Sequence, residues 1–151
     1  MSEEAMTEAP VPSLAPLAPI IGRWRSSGTV LDDAGNVTAD ISGTDVYAWL
    51  PDGHWIAHEV DVRMGDQRVL VHEVIGGLDP AGGWQMYAFD ATSGPGVMRL
   101  SQEGPDLLLL QGDGVRSWFR IRAGDGRMTS RWERLVDARW QRWMDMQFER
   151  W

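Results

Sequence analysis

Three histidines are the side chains of this sequence best suited to acid–base chemistry near neutral pH. They are His54, His58 and His72, and the chain contains neither cysteine nor lysine. An unperturbed imidazole titrates at about pH 6.5 and can both donate and accept a hydrogen bond. Without cysteine and lysine, disulfides, cysteine–zinc sites, a cysteine nucleophile and Schiff-base chemistry are all excluded. Acid–base chemistry in this protein would therefore rest on histidine.

Two of the histidines lie on consecutive predicted strands that are separated by the turn Gly65–Gln67. If this three-residue loop pairs Met64 with Arg68, the side chains of His58 and His72 lie diagonally on one face, about 7–8 Å apart at the backbone. We therefore predict that both imidazoles point into the interior. The other side chains of that face are apolar: Ile56, Val62, Leu70 and Val74.

Two interpretations of this face stay open. In one, each histidine is hydrogen-bonded within the wall of the fold; in the other, His58 and His72 line a cavity as ligand partners or as an acid–base pair. A zinc site would need a third ligand, which no spacing identifies, so we predict no metal site. Haem needs an axial ligand, and no histidine follows His72, which leaves only Met144 or Met146. We predict no cofactor.

The elements that must position these residues are short apolar runs separated by clusters of Gly, Asp and Pro. Such clusters supply turn conformations, and many short strands at hairpin spacing are typical of an antiparallel sandwich or barrel. We predict an all-β, up-and-down antiparallel barrel of about ten strands. The predicted strands are Arg23–Leu31, Thr38–Leu50, Trp55–Met64, Arg68–Leu78, Trp84–Phe89, Val97–Glu103, Leu107–Gln111, Val115–Arg122, Met128–Val136 and Trp140–Trp151.

Alternation within the strands predicts which side chains are buried. In the last strand, Trp140 shares a face with Met144, whereas Trp143 takes the opposite one. The run Leu107–Leu110 is apolar on both faces. We therefore expect its outer face to be covered by a loop, by the N-terminal tail or by the second subunit of a homodimer.

The N-terminal residues differ in composition from the rest of the chain. Residues 1–13 are acidic and rich in Ala and Pro, and we predict a flexible tail followed by a single domain over residues 14–151. The segment Pro12–Leu17 is expected to form one helical turn. Three apolar side chains here could plug the start of the barrel: Leu14, Leu17 and Ile20.

Aromatic and methionine side chains could wall an apolar pocket, because barrels of about eight to ten strands can hold one small ligand. The same side chains also commonly fill cores. Four arginines, Arg99, Arg120, Arg131 and Arg142, are candidates for an inward cation. The candidate pocket residues are Tyr47, Trp49, Trp84, Met86, Met144 and Met146, together with His58 and His72.

The overall charge limits the partners. The formal net charge is −8 and the isoelectric point is about 4.7, which argues against a nucleic-acid partner. The acidic N-terminal segment does not have the pattern of a secretory signal peptide, and no apolar run is long enough to span a membrane. We therefore expect a cytoplasmic protein whose partner is a small molecule.

The segment Gly22-Arg23-Trp24, which opens the first strand, resembles the Gly-x-Trp signature of the calycins, the superfamily of lipocalins and fatty-acid-binding barrels. Four further segments resemble a bacterial family of uncharacterised lipocalin-like domains: Trp49–Gly53, His58-Glu59, Gly77–Asp79 and Trp132–Asp145. The resemblance implies that Trp24 packs across the closed end of a barrel, beneath Arg150 or Arg142 of the last strand. It gives Gly22, Trp24 and Arg150 structural roles and implies no activity.

Three functions follow from these observations. The leading hypothesis is a non-enzymatic barrel that binds a small apolar or amphipathic molecule. The second is a small barrel enzyme, of isomerase or cyclase type, that uses His58 and His72 as acid and base. The third is an interaction module whose interior is filled with side chains. The first two require a cavity and the third excludes one.

Overall fold

A computed structural model of the chain describes residues 11–90 and 96–151. A 3-10 helix over Pro12–Ile20 precedes ten strands. A 3-10 turn, Ala123–Asp125, connects the eighth strand to the ninth. No helix among the described residues is long and apolar enough to cross a membrane. The strands are β1 (Gly22–Leu31), β2 (Val37–Trp49), β3 (Trp55–Met64), β4 (Gln67–Leu78), β5 (Trp84–Phe89), β6 (Gly96–Gly104), β7 (Leu107–Gly112), β8 (Val115–Arg122), β9 (Arg127–Val136) and β10 (Arg139–Arg150).

The strands form one closed barrel in which every strand pairs antiparallel with its neighbours in sequence, and β1 pairs with β10. Closure leaves no strand edge with unpaired backbone groups. The prediction of an all-β up-and-down barrel of about ten strands is confirmed. The predicted bounds of β3, β5 and β8 coincide with the observed ones, and the others differ by one residue at either end.

The register of the β3–β4 hairpin differs from the prediction. Met64 pairs with Gln67 and not with Arg68, so the loop consists of Gly65 and Asp66 alone. Gly65 has a φ of 59°, the positive value that a tight two-residue hairpin demands and that glycine adopts without strain. Moving the pairing by one residue turns every side chain of β4 to the other face of the sheet.

A bulge in β10 changes its alternation. Arg142 pairs with Glu133 and Met144 pairs with Trp132, so Trp143 is the extra residue between them. Because of the bulge, Trp143 and Met144 both reach the barrel interior. Trp140, which precedes the bulge, lies outside with 38% of its surface exposed. The predicted facing of the two tryptophans is therefore wrong.

The N-terminal 3-10 helix lies across one end of the barrel and closes it. Val11 N–H donates to the carbonyl of Gly53 at 3.0 Å, and Trp84 Nε1 donates to the carbonyl of Ser13 at 2.8 Å. Residues 11–13, which the sequence analysis placed in the tail, are thus docked on the barrel, while residues 1–10 lie outside the described part. The apolar side chains that the helix buries are Leu14, Leu17 and Ile20.

Trp24 lies beneath this helix and is fully buried. Its Nε1 donates to the carbonyl of Ile20 at 2.9 Å, and Arg150 Cζ lies 4.3 Å from the centroid of its ring. The Arg150 guanidinium also donates to the carbonyl of Ile21 at 2.6 Å. Gly22 has a φ of 136°, and a Cβ there would stand 2.4 Å from Arg150 Nη1. Only glycine therefore suits this position in the arrangement of Trp24 and Arg150.

Candidate functional site

The barrel encloses a cavity of about 730 Å³. Ligand pockets for small molecules measure roughly 300–1,000 Å³ and are lined mainly by apolar side chains. Most of the side chains that line this cavity are apolar, and they come from nine of the ten strands, β2 to β10. The interior is therefore not filled by side chains, as an interaction module with a solid core would require.

The cavity runs from the floor under the 3-10 helix towards the opposite end of the barrel. Ile20 of the helix lines the floor. The lining residues Asp90, Val97 and Asp113 lie at the β5–β6 and β7–β8 connections, which the up-and-down topology places at the other end. Val97 is 57% exposed there.

A chain of polar side chains crosses the inner faces of β2, β3 and β4 within this apolar wall. His58 Nδ1 lies 2.5 Å from Glu73 Oε1, and His58 Nε2 lies 2.7 Å from Asp45 Oδ2. The hydroxyl group of Ser26, on β1, donates a hydrogen bond to Asp45 Oδ1. Asp45, His58 and Ser26 are buried, and the side chain of Glu73 is 12% exposed. We call Asp45, His58 and Glu73 the inner triad.

The geometry of the inner triad determines its protonation. Burial alone would lower the pKa of His58, but the charge of Glu73 and the hydrogen bonds that His58 donates to Asp45 and Glu73 outweigh it and raise that pKa to about 9. At neutral pH, His58 is therefore an imidazolium that donates one N–H to each carboxylate. Two carboxyl groups therefore face one imidazolium in the inner triad.

Tyr47 stacks on His58, with ring centroids 3.7 Å apart and an interplanar angle of 17°. Burial, together with the charges of Asp45 and Glu73, raises the pKa of Tyr47 well above its usual value. The phenol is thus neutral and lines the cavity. Its hydroxyl has no hydrogen-bond partner among the described residues, so it can still bond to a bound molecule.

Three aromatic side chains form a wall on β8, β9 and β10. The rings of Phe119 and Trp132 meet edge to face at 6.4 Å, and those of Trp132 and Trp143 do so at 6.3 Å. All three line the cavity. In the ring of ten strands, β3 and β8 stand half-way round from each other, so the aromatic wall lies across the barrel from the inner triad.

The predicted pocket residues are only partly brought together. Trp84 is buried beneath the 3-10 helix, and Trp49 packs against the edge of the core without lining the cavity. His72 points outward, its side chain is 65% exposed, and its Nδ1 lies 3.7 Å from Glu59 Oε1. The prediction that His72 faces the interior is wrong, because the two-residue loop gives the inward position opposite His58 to Glu73. The predicted residues that do line the cavity are Tyr47, His58, Met86, Met144 and Met146.

The sequence analysis missed both carboxylates of the inner triad. Asp45 is two residues before Tyr47 in β2, so period-two alternation places it on the same inner face. Glu73 would have been found by choosing the two-residue loop at Gly65-Asp66, the commonest hairpin connection. Each signal is present in the sequence, but a carboxylate is ordinarily expected outside.

The four arginines that were candidates for an inward cation all lie on the outside. Arg99 donates to the carbonyl of Gly82 at 3.0 Å, and Arg131 and Arg142 both approach Asp145. Arg120 is exposed. In the described part of the chain, the cavity lining contains no arginine.

The inner triad does not have the form of a metal site. Among residues 11–90 and 96–151, no group of three or more His, Asp or Glu side chains is arranged to hold a metal ion. The two ring nitrogens of His58 point in different directions, one towards each carboxylate, so the three side chains do not converge on one point.

No family model matches the chain, and no curated protein matches it. Among solved structures, the crystal structure of Rv2717c from M. tuberculosis is similar with a TM-score of 0.68 and 17% sequence identity, covering 95% of this chain and 99% of that one. The S-type phycobiliprotein lyase CPES from Guillardia theta is similar with a TM-score of 0.52 and 10% identity, covering 99% and 97%. These likenesses support a lipocalin-like ten-strand barrel; membership of the calycins remains a prediction from the sequence motifs.

Proposed function

We propose that the protein binds a small amphipathic molecule inside its barrel. The observation that carries this proposal is the cavity of about 730 Å³, which is lined by apolar side chains and contains one buried polar cluster. Apolar walls favour an apolar ligand body, because burial removes its surface from water. The Tyr47 hydroxyl and the Glu73 carboxylate supply the few directed contacts that orient a ligand in such pockets.

A cavity and a buried charged cluster are both less stable than a core of well-packed apolar side chains, which supports a functional role for them. An empty interior forfeits packing contacts, and burying two carboxylates with an imidazolium has a desolvation cost that well-packed apolar side chains avoid. A side-chain-filled core would be the more stable arrangement at these positions. Binding accounts for both features together.

An enzyme that uses His58 and His72 as a pair is not supported. His72 lies on the outer face of β4, whereas His58 is buried inside and holds a carboxylate at each nitrogen. The two imidazoles therefore cannot meet at one bound molecule. We retain binding alone as the proposed function.

A neutral dye whose emission depends on its surroundings, such as Nile red, tests the proposal. We expect saturable binding of one dye per chain. Val71→Trp places an indole in the cavity from β4 and should weaken binding by roughly tenfold or more. Leu70→Trp is the matched control, because the neighbouring Leu70 side chain lies outside and is 45% exposed. Absence of saturable binding, or equal binding by the two variants, would contradict the proposal.

A further inference from the structure

We infer that the bound molecule carries a cationic nitrogen on a planar apolar body, and that the cavity discriminates against carboxylates. This inference rests on the proposed function and narrows it to a ligand class: aromatic or conjugated amines and protonated nitrogen heterocycles. Three features of the cavity lining point to this class: its carboxylates, the hydrogen-bonding groups left free around the inner triad, and its aromatic wall.

The charged groups along the cavity are predominantly negative. Asp45 and Glu73 lie deep in the cavity, and Asp113 lies exposed at its mouth. Among the described lining residues, His58 is the single basic side chain, and two carboxylates face it. Since charges interact more strongly in a poorly solvated interior than in water, an entering anion would be repelled and a cation attracted.

The hydrogen-bonding groups of the inner triad and its neighbours agree with the charge. Both N–H groups of His58 and the hydroxyl hydrogen of Ser26 are already donated to carboxylates. A ligand carboxylate would therefore find only the phenol of Tyr47 as a donor within the inner triad and its neighbours. Glu73 uses Oε1 for His58, and within the described residues no bond occupies its Oε2. An ionised carboxylate oxygen is a strong acceptor for an ammonium or a protonated heterocycle.

The aromatic wall suits the same ligand from the opposite side. Phe119, Trp132 and Trp143 present ring faces and edges across the barrel from the inner triad. Indole faces attract cations, and aromatic rings pack favourably against planar apolar bodies. A planar amine would thus contact a carboxylate at one end and indoles along its body.

Three ligands with one body and different head groups test the inference: naphthylmethylamine, naphthylmethanol and naphthoic acid, which are cationic, neutral and anionic at neutral pH. Their affinities are measured by displacement of Nile red from the full chain. We expect the amine to bind most tightly and the acid most weakly, with roughly a tenfold or larger difference between the two. Equal affinities, or tightest binding of the acid, would overturn the inference.

A matched pair of variants locates the selectivity. Glu73→Gln removes one of the two inner carboxylates and keeps the shape, so it should reduce the preference for the amine over the alcohol by roughly tenfold while Nile red still binds. Glu59→Gln, on the outer face beside His72, should leave the preference unchanged. An unchanged preference in a folded Glu73→Gln would overturn the role given to that carboxylate.

The two proposals fail in different ways. If wild-type protein does not bind Nile red, the binding function fails and the ligand class falls with it. If Nile red binds but the amine is not preferred, only the ligand class is wrong. The comparison of the three head groups needs no substitution, so it decides the question even where Glu73→Gln does not fold.

Discussion

At the scale of single residues, His58 holds the polar interior together. It donates to Asp45 and Glu73 from opposite ends of one ring and stacks beneath Tyr47. Removing the imidazolium would leave two buried carboxylates with no cation between them. Breaking a buried ion pair in this way typically costs about 3–5 kcal/mol. His58 thus stabilises the folded state as well as shaping the cavity.

The stability of the protein should depend on pH through His58. Its pKa rises from 6.5 to about 9 on folding, so protonation favours the folded state. The stabilisation is fully present below about pH 6.5 and is lost as the pH rises through about 9, a total of about 3 kcal/mol. Urea unfolding between these pH values measures it.

Two variants identify the group responsible for this pH dependence. His58→Gln should be less stable at neutral pH and should lose the decrease towards alkaline pH. His72→Gln, whose side chain is exposed on the outer face, should retain the wild-type decrease. Wild-type stability that stays level or rises over this range would show that the imidazolium is not held as the geometry indicates.

At the scale of elements, two short segments shape the site. The two-residue loop after Met64 sets the register of β4 and thereby brings Glu73 to His58. The 3-10 helix Pro12–Ile20 covers the floor of the cavity and the ring of Trp24. Neither segment is long, but each determines what faces the interior.

The docking of the 3-10 helix can be tested by truncating one side chain. Leu17 is fully buried, so Leu17→Ala should lower the free energy of unfolding by about 2–5 kcal/mol. Ala15→Ser is the control, because Ala15 is exposed on the same helix and should be nearly neutral. Chemical denaturation of both variants gives the comparison. A near-neutral Leu17→Ala would mean that the helix does not close the barrel.

At the scale of the whole molecule, the ring closes through the pairing of β1 with β10. Trp24 pairs with Arg150, and the register continues without interruption to Val30 and Met144. Because the first and last strands are neighbours, the barrel is complete only when both ends of the chain are in place. Contacts of such high sequence separation couple all ten strands into one unit.

We therefore expect one cooperative unfolding transition. Far-ultraviolet circular dichroism should show a spectrum dominated by strands, and its melting curve should coincide with that of tryptophan fluorescence. Separate midpoints for the two signals, or a substantial helical spectrum, would contradict a single closed barrel.

The sequence by itself determined the number and bounds of the strands, because turn chemistry and period-two alternation are local properties. Alternation in β3 also placed His58 inside, and Tyr47 was a candidate pocket residue. The resemblance of the Gly22–Trp24 segment to a known signature put either Arg150 or Arg142 over Trp24. The facing of β4 was decided only by the tertiary structure. A two-residue hairpin loop turns Glu73 to the inner face of the barrel, whereas a three-residue loop would turn His72 there. Both loop lengths are compatible with the local sequence.

The same holds for the bulge that brings Trp143 into the cavity, since pairing with β9 determines where β10 accommodates its extra residue. The cavity itself is a property of closure, because its volume depends on how ten strands meet around a common axis. Local patterns therefore predict which residues belong to the barrel. Pairing between strands determines which of them face each other across its interior.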